Sequence, residues 1–181
     1  IPLLSSGFWF FVGFNEEFAK LIVLLAVVYP SRHLKEVFDG ILYVAVVSVG
    51  FATLENFYYL DQYGVAVVAV RTVITIPAHA FMSVPMGYYV AKSRMLLEVS
   101  DETKFSFYLP MLTIIQGWFI SAFLHGLYDF FHSLKMERTA YLQIMVMGGI
   151  SIWLSSVALR ASRRQSLGDS SGNGLQKMEN S

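Results

Sequence analysis

The chain contains no cysteine. Disulfides, thiolate nucleophiles, iron–sulfur clusters and Cys-ligated zinc are therefore excluded, leaving His, Asp and Glu as the strong candidate ligands and acid–base groups. Charge is also scarce. Only 14% of the 181 residues are charged, against roughly 25% in a soluble domain, which argues against a water-soluble globule. With 55% of residues hydrophobic, disorder is excluded as well. The 13 Lys and Arg are balanced by 13 Asp and Glu, so the basic excess of a nucleic-acid binder is missing. No internal repeat of the kind that builds many transporters is visible. No basic stretch precedes the first apolar run, so that run is expected to be a span and not a signal peptide. A chain starting at Ile1 reads as a piece of a longer one, with a further span expected upstream.

What is present is apolar sequence, at a mean hydropathy of +0.54. Runs long enough for a hydrocarbon core of about 30 Å, which takes about 20 helical residues, cover approximately 8–30, 37–60, 64–91, 106–132 and 139–159. Short polar connections at 31–36, 61–63, 92–104 and 133–138 separate them. The expectation is an all-α polytopic transmembrane bundle of about five spans over residues 1–160. Residues 161–181, rich in Ser, Gly and Asn, are expected to form a disordered tail. Positive residues are retained on the cytoplasmic side. Arg32, Lys35, Lys92, Arg94, Lys104 and the tail's Arg160, Arg163, Arg164 and Lys177 lie on one side of this alternation, with only Lys135 and Arg138 on the other. The tail is therefore expected in the cytoplasm of an integral, multi-pass protein of the cell membrane.

The fifth run has no ionisable side chain other than Tyr141, whereas the other four hold Glu16, Glu17, Lys20, Asp39, Glu55, Arg71, His79, His125 and Asp129. An Asp, Lys or Arg at a helix centre costs about 2.5–3.5 kcal/mol to insert, so such residues face a partner or a wet cavity. Lys20 stands four residues from Glu16 and three from Glu17 and can partner either. Phe51, Glu55 and Tyr59 share one stripe of the second helix, and Arg71, Thr75 and His79 one of the third. Gly117, Ser121, His125 and Asp129 share one of the fourth, where the small residues admit a close neighbour. At about 1.5 Å per residue, Glu16, Glu55, His79 and His125 reach the same outer half of the bilayer. Asp39 sits beside Gly40 at a helix start, where a carboxylate suits the dipole. His33 lies in a basic loop and His132 at the interface, and neither is given a role.

These residues carry a resemblance. Glu16-Glu17-Phe18-Ala19-Lys20 resembles the Glu-Glu-x-x-Lys motif of the PrsW family of intramembrane proteases, and Phe51 to Glu55 resembles its Phe-x-x-x-Glu. A lone His79 and the His-x-x-x-Asp of His125 and Asp129 follow in order. The resemblance spans about residues 10–132 and extends to the type II CAAX prenyl proteases and Abi proteins, which share the paired glutamates. It implies an intramembrane endopeptidase cutting a membrane-tethered substrate, a single-pass protein such as an anti-sigma factor.

No His-Glu-x-x-His or Gly-x-Ser-x-Gly occurs, so the zincin and serine layouts are missing. Asp39 and Asp129 fall at opposite ends of their helices and form no aspartyl dyad. The expected catalytic set is Glu16, Glu17, Glu55, His79, His125 and Asp129, supported by Lys20, Tyr59, Arg71 and Asn56. Glu16, with Lys20 on its face, is expected to deprotonate water. Either the carboxylates act alone or Glu16, His79 and His125 hold zinc. A metal-free mechanism is favoured, because neither His has a close ligand partner in sequence. A proton or solute conduit built from the same buried residues is the alternative. No nucleic-acid partner is expected, and the sequence leaves oligomeric state open.

Overall fold

The computed structural model describes residues 2–99 and 105–179. Every element among them is helical: α1 (Pro2–Val23), which runs into a wider π turn over Leu24–Val28, α2 (Val37–Tyr63), α3 (Val65–Val99), α4 (Phe105–Ser133) and α5 (Glu137–Glu179). Four helical stretches, Val37–Tyr63, Val65–Leu97, Tyr108–Ser133 and Glu137–Arg163, are long and apolar enough to cross a bilayer. α1, which carries Glu16, Glu17 and Lys20, is not among the four and joins the bundle by packing along α4. Large apolar side chains such as Phe11, Leu54, Val73, Met145 and Trp153 point outward. Water would not tolerate so much exposed apolar surface, and lipid requires it.

Two boundaries differ from the apolar runs. α3 continues past Ala91 through a polar stretch free of Gly and Pro and rich in good helix formers. Its extension is tied back by Arg94, which donates to the Tyr29 carbonyl at 3.0 Å. α5 likewise continues past Leu159, so its helical backbone runs into the polar segment that composition reads as a tail.

Glycines fix the crossings that matter for the site. A Cβ at Gly13 of α1 would stand 2.5 Å from the Gly126 nitrogen of α4, and one at Gly126 would collide with the Phe10 carbonyl. This contact lies immediately beside Glu16, Glu17 and His125. α2 and α3 approach equally closely at Gly40 and Gly87 and are joined at the other end by Gly64, whose φ of 80° suits a residue without a side chain. Asp39 accepts the Lys35 and Glu36 amides at 2.9 and 3.0 Å, the helix-start role expected of it.

α3 contains Pro77 and Pro85. A helical proline has no N–H to offer the carbonyl four residues back, which for Pro85 is that of Phe81. Ser151 of α5 donates to that carbonyl at 3.0 Å, and the next amide, Met86, donates to Ser121 of α4 at 3.0 Å. Inward of the polar layer, Leu21, Leu24, Val28, Val44, Met86 and Val90 fill the space between α1, α2 and α3.

Candidate functional site

α1, α3 and α4 bring one buried cluster together. Glu17 and Lys20 are wholly buried and bonded to each other at 2.5 Å. The Lys20 ammonium also donates to His79 Nδ1 at 3.1 Å and lies 3.5 Å from Ser83 Oγ. Ser83 in turn donates to the other Glu17 oxygen at 2.8 Å. His125 Nδ1 is 2.9 Å from Glu17 Oε1. Since a carboxylate accepts, that nitrogen carries the proton and Nε2 offers a lone pair to the cavity. Glu17 thus receives three donors, from three different helices.

Glu16 is about 100° around α1 from its neighbour and faces a cavity of about 670 Å³. Its Oε2 is buried without a hydrogen-bond partner, 3.6 Å from His125 Nε2 and 3.9 Å from His79 Nδ1. The two imidazoles meet edge to face with centroids 4.7 Å apart. Asp129 stands 3.8 Å from His125 Nε2 and Glu55 3.4 Å from His79 Nε2. Glu55 is held by Arg71 at 2.7 Å. Arg71 also donates to Asn56 at 2.9 Å and lies over the Tyr59 ring at 3.5 Å.

Of the residues singled out by sequence, Glu16, Glu55, Tyr59, Arg71, His79, His125 and Asp129 line this cavity. Glu17, Lys20 and Asn56 stand behind its walls. The spacing puts Lys20 on the face of Glu16 and leaves it able to partner either glutamate; in the bundle it pairs with Glu17. The interhelical surface decides this, because Ser83 and His79 of α3 hold the ammonium at the buried carboxylate. Ser83 was not anticipated, although it continues the stripe of Arg71, Thr75 and His79 by one more turn. His132, set aside as an interface residue, lines the same cavity and stacks on Tyr128.

Glu16, His79 and His125 each offer one ligand atom within 4.8 Å of the others. Residues 4–155 match the family described as "PrsW family intramembrane metalloprotease". The chain belongs to this family. It is 40% identical over 130 residues to Protease PrsW of Bacillus subtilis (strain 168), covering 72% of the chain and 53% of the relative. Protease PrsW of Geobacillus kaustophilus (strain HTA426) is 35% identical over 142 residues, covering 78% and 57%. That of Shouchella clausii (strain KSM-K16) is 33% identical over 145 residues, covering 80% and 62%. The chain therefore spans little more than half the length of these curated relatives. No solved structure matches it.

The family description bears on the metal question. A metal-free site was favoured because no two ligands are close in sequence. The fold removes that ground, since His79 and His125 meet from separate helices. The PrsW family is described as one of metalloproteases, and this chain holds a His/Glu group able to bind an ion.

Proposed function

We propose that this chain is the peptidase unit of a PrsW-type intramembrane protease. It hydrolyses a peptide bond in a membrane-tethered, single-pass protein such as an anti-sigma factor, with zinc held by Glu16, His79 and His125. The observation that carries the reading is the buried, unbonded Oε2 of Glu16 facing two imidazoles. A carboxylate placed only to fix helix register would be satisfied as Glu17 is, because an unpaired buried charge is costly. One held without a partner is kept for a ligand or a proton.

The donor set fits the metal. Two imidazoles and a carboxylate with an open position are a catalytic zinc arrangement, and the 3.6 Å between Glu16 and His125 is close to the edge of about 3.4 Å that ligand distances near 2.1 Å imply. Charge fits too. Lys20 and Arg71 are committed to Glu17 and Glu55, and Glu16 and Asp129 are the two carboxylates a divalent ion would balance.

When bound, such an ion supplies Lewis acidity toward water and the scissile carbonyl. The remaining work falls to the chain. Glu17 fixes the tautomer and orientation of His125 through Nδ1–H. Glu55, clamped by Arg71, stands 3.4 Å from His79 Nε2 and orients that ring, leaving Nδ1 as the atom that would ligate once the Lys20 ammonium gives up its contact there and stays with Glu17 and Ser83. Asp129 takes the proton of the attacking water, and the cavity walls keep the site from bulk solvent. A conduit would need a polar path inward of Lys20, where Leu21, Leu24, Val44 and Met86 fill the bundle instead.

In this reading the protein lies in the cell membrane with the tail from Arg160 in the cytoplasm and the cavity on the outer side. Reconstituted full-length protein incubated with a panel of tethered peptides tests the function. Cleavage abolished by chelation and by Glu16→Gln is expected. A folded Glu16→Gln protein that cleaves normally overturns the site, and proton flux without cleavage of any peptide returns the conduit.

A further inference from the structure

The way α1 and α2 part company supplies a route for the substrate. Inward, the two helices are closed together. Leu21, Leu24 and Val28 pack in one cluster with Val44, and Lys20 Nζ lies 5.2 Å from the Phe51 ring centroid. Outward, they face each other across the cavity, with Trp9, Val12 and Glu16 on α1 and Glu55, Tyr59 and Tyr63 on α2. The divergence follows from their partners: α1 is drawn to α4 by the Gly13–Gly126 contact, while the outer half of α2 is held to α3 by Arg71, bonded to Glu55 and Asn56. Trp9 and Tyr63 at the two lips are 45% and 64% exposed, at a level of the bundle where neighbouring outward side chains such as Phe8, Phe11 and Phe57 are apolar.

We propose that the gap between the outer halves of α1 and α2 is the lateral gateway through which a membrane-spanning segment of the substrate reaches the site from the bilayer. The proposal rests on the peptidase reading above and names its route. Cavity size argues for this occupant. A helix 10–12 Å wide with a 5.4 Å pitch fills about 500 Å³ per turn, so about 670 Å³ admits little more than one turn's worth of chain. A spanning segment of about 20 residues cannot be enclosed. Most of it must stay in lipid while a few residues pass between Trp9 and Val12 on one side and Tyr59 and Tyr63 on the other. Continuity with the polar cluster separates this gap from the apolar groove lined by Phe38, Ile41, Phe81, Ser151 and Ile152, which holds no ionisable group.

A photo-crosslinking residue placed singly at Trp9, Val12, Met145 or Ile152 of the full-length protein tests the route. The background is Glu16→Gln, and the probe is a single-pass peptide with a Leu/Ala span of about 20 residues interrupted by a Gly-Pro pair in its outer half. Adducts are expected from positions 9 and 12 and not from 145, on the exposed face of α5, or 152, in the other groove. Equal labelling at 145, dominant labelling at 152, or adducts from 9 and 12 to another segment of the same polypeptide overturns the gateway. Cleavage of the probe by the unsubstituted protein is read in parallel. Labelling at 9 and 12 without cleavage keeps the gateway and sinks the peptidase reading, and cleavage with labelling only at 152 does the reverse. As a second measurement, Val12→Trp should cut turnover of the spanning probe about tenfold more than that of a water-soluble peptide, because the added ring obstructs the gap itself. Equal loss on both peptides overturns the proposal.

Discussion

Glu16 and Glu17, adjacent in sequence, have opposite surroundings: both oxygens of Glu17 are bonded, to Lys20, His125 and Ser83, while the buried Oε2 of Glu16 has no hydrogen bond. The two carboxylates should fail differently when neutralised.

Glu17→Gln leaves the wholly buried Lys20 without its counter-charge, a loss of about 3–5 kcal/mol. Lower yield and a lower thermal midpoint in detergent are expected. Glu16→Gln removes no existing hydrogen bond of Oε2 and should keep the midpoint of the metal-free protein, while turnover is lost together with the zinc that Glu16 helps to hold. Paired melting and cleavage assays check the contrast, and equal melting of the two variants would refute it.

Metal binding should follow the geometry residue by residue. Elemental analysis of purified protein is expected to give one zinc per chain, lost in Glu16→Gln and His125→Ala. Glu17→Gln, which only orients His125, should weaken zinc affinity about 10-fold to 100-fold wherever the protein still folds. Full activity after exhaustive chelation, in protein shown to be zinc-free, would restore the metal-free mechanism.

The α1–α4 contact predicts a steric sensitivity remote from any charge. Gly126→Ala puts a methyl against the Phe10 carbonyl. It should cost about 1–3 kcal/mol and activity together, since the contact sets the distance between His125 and Glu17. Gly50→Ala, where a methyl meets nothing within 4 Å, is the matched control and should be silent in both assays.

His132 is stacked on Tyr128 at the cavity wall, where it can contact a bound chain. His132→Ala should raise KM about twofold to tenfold, as an aromatic contact of about 0.5–1.5 kcal/mol implies, and leave kcat unchanged. A fall in kcat at constant KM would instead place His132 among the reacting groups.

Much of the fold was legible because hydrocarbon thickness fixes helix length. The run 37–60 anticipates Val37–Tyr63, and 106–132 anticipates Phe105–Ser133. Charge within apolar runs by itself singles out Glu16, Glu55, His79 and His125. Spacing along one helix says which residues share a face, but not which way that face turns in the bundle. For this reason spacing leaves Lys20 open to either glutamate, and it offers the meeting of His79 with His125, separated by 46 positions in the sequence, only as one of two alternatives. Ser83 is invisible to a search for ionisable groups because its contribution is one hydroxyl placed against Glu17.

Pro85 gives the bundle an address as well as an interruption. An ordinary apolar helix presents no backbone acceptor to its neighbours, so its rotation is steered by side-chain shape alone. By withholding one N–H, the proline turns the Phe81 carbonyl into a single marked point, and Ser151 is the hydroxyl that finds it. α5 carries none of the ionisable residues of the cluster, yet its register against α3 is set by hydrogen bonding. The proline and the serine are in that sense one feature divided between two helices, and a change in either alters what the other is for.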